Sequence, residues 1–146
     1  MPAYRHGIVH RQNGAPPVRA LRATLVTVGI FQLALGALFL LAPVAGAQAL
    51  GLRPTAPAWA NWLFAMMGGR FLGYAYGMFN AARAPRQRVG WIDTMIVIQA
   101  IDWTATLAYL ATGDLSLSQV STAAFAPALF IGALLWFHPR RLPANH

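Results

Sequence analysis

The stretch "FAMMGGRFLGYAYGMFN", residues 64–80, sets an arginine, Arg70, inside a run that otherwise reads as lipid-soluble helix. An unpaired charge at the centre of a bilayer costs at least about 2.5–3.5 kcal/mol, so the residue needs an explanation. Three glycines, Gly69, Gly73 and Gly77, surround it at four-residue spacing. Small residues at that interval let helix backbones approach closely. Gly73 and Gly77 lie close to Arg70 around a helix of 3.6 residues per turn. That face is therefore expected to pack inward and to bring Arg70 to a partner.

Working outward, the whole chain favours a membrane. It is 58% hydrophobic and only 10% charged, against about 25% charged for a soluble globular domain. So few charges cannot cover a water-facing surface. Four apolar segments, near residues 23–44, 60–80, 91–112 and 120–137, each approach the ~20 residues that cross a bilayer core of ~30 Å. None alternates with period two. Backbone in lipid must satisfy its own hydrogen bonds, which favours helices. The expected fold is all-α, a four-transmembrane-helix bundle. Residues 1–21 form a basic arm, 22–138 the transmembrane domain and 139–146 a short tail.

The formal net charge is +8, carried without lysine. The arginines punctuate apolar runs and form no stripe, so nucleic acid is not the expected partner. Arg5, Arg11, Arg19, Arg22, Arg83, Arg86, Arg88, Arg140 and Arg141 fall in the segments assigned to one side, and only Arg53 in a loop on the other. Such a bias places both termini in the cytoplasm, N-in/C-in, in a bacterial inner membrane. Tryptophans fit the boundaries: Trp59 and Trp62 at the outer interface, Trp91 and Trp136 at the inner one, Trp103 near mid-membrane. A cleaved signal peptide ending near "APVAGAQA" is the rival reading of the first span. Its apolar run, about 20 residues, exceeds the 7–15 of a signal core.

Depth arithmetic gives Arg70 its company. At 1.5 Å per residue, Arg70, Asp102 and Gln32 each lie roughly 15 Å from a membrane face. Gln99 and Thr106 share the Asp102 face of a helix. The expectation is that Arg70 pairs with Asp102, with Gln32 and Gln99 as further partners and Tyr74 one turn away. Such a cluster either locks helix register or marks a ligand or proton site. Tyr74, Trp103, Met66 and Met67 line a cleft for a quinone or lipid tail in the second case. Pro127 is expected to bend the fourth span.

Familiar catalytic chemistry is missing. With no cysteine there is no thiolate site or disulfide. The histidines His6, His10, His138 and His146 lie outside the spans, so neither an in-bundle haem nor a metal site is expected. There is no phosphate-binding Gly-rich loop. Asp93, near the inner end of the third span, has the place of a structural acid that favours the helix N-terminus or pairs with loop arginines.

Short loops, a proline ending the first span ("LLAPVAGAQALGL") and a Gly-rich second span make the layout resemble the DoxX-like small bacterial membrane proteins. DoxX itself is associated with a thiosulfate–quinone oxidoreductase. Without cysteine for sulfur chemistry, the resemblance implies a fold and neither an activity nor site residues. The function expected is that of a non-catalytic accessory or assembly subunit of a larger respiratory or photosynthetic membrane complex. Its partners would be the lipid bilayer and other membrane subunits or a second copy. The alternative is a quinone- or small-anion-binding membrane protein, enzyme-associated or transport-related, using the same cluster.

Overall fold

A computed structural model describes residues 16–51 and 58–141. Among these residues the chain forms five α-helices: α1 (Pro16–Leu41), α2 (Pro43–Ala49), α3 (Ala58–Arg83), α4 (Val89–Ala111) and α5 (Leu117–Trp136). A 3₁₀ turn, Pro139–Arg141, follows. The all-α expectation matches this content; the four-span count does not. Three helices are long and apolar enough to cross a membrane: Pro17–Leu41, Val89–Ala111 and Leu117–Trp136, with hydropathies of 2.2, 1.3 and 1.5. The chain is thus a small multi-pass membrane protein with three candidate spans.

The exception is α3, the helix of the opening stretch. Its 26 residues are long enough. However, Arg70, two asparagines, two tyrosines and its glycines dilute the apolar character that the hydropathy argument requires. The N-in/C-in expectation, drawn from the arginine distribution over four spans, needs an even number of crossings, and the three candidate spans do not supply one. The fifth helix is the short α2. Pro43 has no N–H to continue α1 and restricts the residue before it. Ala42 accordingly leaves the helix at φ −144°, and the chain restarts with Pro43 in the first turn of α2. At the far end of α2, Gly51 turns with φ +80°, a conformation that suits glycine. A Cβ there would lie 3.2 Å from the Gln119 carbonyl oxygen, so the turn sits directly on the start of α5.

α1 and α3 pack antiparallel at very short range. A Cβ on Gly68 would lie 2.7 Å from the Leu40 backbone nitrogen and 2.9 Å from the Gly36 carbonyl oxygen. Gly36 and Gly29 are filled in turn by Leu72 and Phe79, both 2.8 Å from the position of a Cβ. Phe39 is buried and stacks on Phe64, with ring centroids 5.6 Å apart. At the other end an Arg22 guanidinium N–H donates to the Arg83 carbonyl at 3.3 Å.

α4 and α5 form the second hairpin. Gly113, with φ +79°, makes the turn. The Ser116 backbone N–H donates to Gln119 Oε1 at 2.9 Å and opens α5. The Trp103 indole N–H donates to the Ala124 carbonyl at 2.8 Å. α5 leaves helical geometry at Val120 (φ −126°, ψ 24°), one turn in, and carries Pro127 in its interior. At the closed end Asp93 of α4 holds the chain beyond α5. His138 Nε2 lies 2.9 Å from Asp93 Oδ1, and Arg140 donates to Oδ2 at 2.9 Å. The partners expected for Asp93 were loop arginines; those found are in the segment that follows α5.

The core lies towards the arginine-rich end. Leu21, Leu25 and Val28 come from the first half of α1, and Met78, Ala81 and Ala82 from the last turns of α3. Ile92 and Met95 come from the start of α4 and Leu134 from the end of α5. The only other buried residue of α4 is Gln99.

Candidate functional site: a polar cavity between two helical hairpins

Each of the four long helices continues one or two turns past this core into the wall of a shared cavity. Val28 is followed one turn later by Gln32, and Met95 by Gln99. Met78 is preceded by Tyr74 and, one turn further, Arg70. Leu134 is preceded by Phe130 and Pro127. Gln32, Arg70, Tyr74, Gln99 and Asp102 all line one cavity of about 380 Å³. Phe31, Leu35, Phe39, Phe71, Pro127 and Phe130 supply much of its apolar wall. Phe31 and Phe130 of this wall meet edge-to-face, with centroids 5.2 Å apart and planes at 70°.

Helix periodicity explains the convergence. Gln99, Asp102 and Thr106 follow i, i+3, i+7 along α4, and Arg70 and Tyr74 follow i, i+4 along α3. Thr106 spends its hydroxyl proton on the Asp102 backbone carbonyl, at 2.8 Å. The side chains of Arg70 and Asp102 do not pair. Among the described residues the ion pairs within 4.0 Å are those of Asp93 with His138 and Arg140. The expected Arg70–Asp102 salt bridge is therefore corrected: the two residues share a cavity and are both exposed along its wall.

The glutamines differ from one another. Gln32 is 3% exposed, and its Nε2 faces the Met95 sulfur at 3.9 Å. Its Oε1 is enclosed and accepts no hydrogen bond. A thioether is a weak acceptor, so this contact returns little of the cost of burying the amide. Gln99 is 5% exposed and has no side-chain hydrogen bond among the described residues.

No protein-family model matches the chain, and no curated protein or solved structure matches it either.

Of the glycines expected to form the close-packed face, only Gly77 meets a neighbour: a Cβ there would enter the Trp91 indole. A Cβ on Gly69 or Gly73 would meet nothing within 4 Å. The tight contact belongs to Gly68, one position earlier, because the face of α3 that meets α1 is the Phe64–Gly68–Phe71–Ala75 stripe. Trp103 and Met66 are not among the cavity-lining residues, whereas Met67 is. Reading the sequence missed Phe31, Leu35 and Phe130. An aromatic beside Gln32, and another three residues after Pro127, were the available signals. His6, His10, His146, Arg53 and the Trp59 side chain lie outside what is described.

Proposed function

We propose that this chain is a membrane-embedded binding protein that takes a small amphiphile from the lipid phase into the cavity between its two hairpins. One observation carries the reading: polar side chains from α1, α3 and α4, including an arginine and an aspartate that are unpaired among the described residues, line one space walled largely by aromatic and aliphatic groups. Ligand sites are concave and mostly apolar, with a few polar groups that fix orientation. Intramembrane ionisable residues that find no mate in the fold fit that use better than a register lock, which needs a closed pair. The arginine-rich end, with Arg22, Arg83, Arg86, Arg88 and Arg140, would face the cytoplasm of a bacterial inner membrane.

Native mass spectrometry of the protein released from a mild nonionic detergent tests this reading. A co-purifying amphiphile that is lost in an Arg70→Gln, Asp102→Asn double variant is the expected result. Retention of the same adducts by a folded double variant would refute it.

A second reading, an accessory subunit of a larger membrane complex, has separate support. Gly69 and Gly73 sit on a face of α3 beside exposed Trp62 and Tyr76, where another helix would fit. Stoichiometric partner proteins in the same purification would favour it.

A further inference from the structure

We infer that the cavity selects a zwitterionic amphiphile: a headgroup whose anionic part sits on Arg70 and whose ammonium group sits on Asp102. This rests on the amphiphile-binding reading above and specifies its chemistry.

The argument starts from what each wall residue lacks. Arg70 is a donor only, and Asp102, as a carboxylate, is an acceptor only. They line the same cavity and are not within 4.0 Å of each other. Gln99 adds an amide that both donates and accepts. A ligand that satisfies this set brings the reverse pair of charges, spaced wider than a direct ion pair. A simple anion would satisfy Arg70 and be repelled by Asp102. A quinone presents carbonyl oxygens, which only accept; these also serve Arg70 and leave Asp102 without a donor. A phosphate joined to a primary ammonium by a short linker supplies both. The phosphate oxygens suit the planar fork of arginine, and the ammonium offers three donors to a carboxylate. The aromatic and aliphatic wall then takes the start of the acyl chain.

The experiment measures binding of three radiolabelled probes with the same chain length to the full-length protein in maltoside micelles. They are lysophosphatidylethanolamine, which is zwitterionic; lysophosphatidic acid, which is anionic; and an alkylamine, which is cationic. The zwitterion should bind at least about tenfold more tightly than either singly charged probe, a difference of about 1.4 kcal/mol. Free phosphoethanolamine, the same headgroup without a chain, should bind far more weakly than the lysolipid. In Asp102→Asn the preference over lysophosphatidic acid should fall to about threefold or less, because the repulsion of the anion is gone, again with the tenfold step of about 1.4 kcal/mol as the scale. Comparing the probes on the parent protein decides the matter even if the variant fails to fold. Equal binding of zwitterion and anion by the parent would overturn the zwitterion and leave amphiphile binding standing. Equal binding of free phosphoethanolamine would overturn the amphiphile. Failure of every probe to bind would remove the functional reading itself.

Discussion

At the scale of single residues, burial and pairing part company. Gln32 is buried with an unanswered carbonyl oxygen. An unsatisfied buried polar group costs about 1–3 kcal/mol, and an apolar replacement of similar shape removes that cost. Gln32→Leu should therefore raise the thermal midpoint of the ligand-free protein in detergent; a lower midpoint would mean that the Met95 contact matters more than the orphaned oxygen. Asp93 presents the opposite case. Its side chain is 38% exposed and serves both Arg140, 72% exposed, and His138, 8% exposed. An exposed ion pair contributes about 0–1 kcal/mol, whereas a buried imidazole that loses its partner costs about 1–3 kcal/mol. Arg140→Ala should thus be nearly silent and Asp93→Ala plainly destabilising. Equal denaturation midpoints for the two would contradict the division.

At the scale of elements, the α1–α3 pair depends on backbone proximity. Gly68 meets the backbone of Leu40 and Gly36, which cannot rotate aside as a side chain would. Gly68→Leu should lower folded yield by more than the ~1–3 kcal/mol typical of overpacking. Gly73→Ala adds a methyl to open space and removes a flexible residue from a helix interior, so it should be neutral or stabilising by up to about 1 kcal/mol. Size-exclusion recovery after heating would compare the two. Equal loss would place the tight face elsewhere on α3. Arg70 and Gly68 lie on different faces of one helix, and this division of labour sends the first to the cavity and the second to α1. The short helix α2 likewise comes from one covalent fact, the missing N–H of Pro43. Its terminal Gly51 then binds the first hairpin to the start of α5.

At the scale of the molecule, the core and the cavity share the same four helices in series. The core at the arginine-rich end, the Phe31–Phe130 contact and the Gly51 turn on the start of α5 hold the hairpins together, and the polar layer follows the core. α4 and α5 are both candidate spans joined by the Gly113 turn. Reporter fusions after Arg88 and after Arg141 should therefore fall on one side of the membrane, and a fusion after Asp114 on the other. The arginine bias predicts a cytoplasmic location for the first side. An external signal at Arg88 would reverse the proposed orientation.

Composition and apolar run length determined that this chain is helical and belongs in a membrane, because lipid leaves the backbone few alternatives. Helical periodicity also brought Gln32, Arg70, Tyr74, Gln99 and Asp102 to one level, since depth along a straight helix follows from residue number. What it could not determine was azimuth and spacing across the bundle. Whether Gly68 or Gly69 met the neighbouring helix depended on how α3 rotated against α1, and that was settled by fitting Phe64, Phe71 and Leu72 between the turns of α1. Whether Arg70 reached Asp102 depended on how far the α4–α5 hairpin stood from the α1–α3 pair. Tertiary packing alone decided that distance: bulky Phe31 and Phe130 meet edge-to-face between the hairpins, and a cavity is left where a salt bridge was expected.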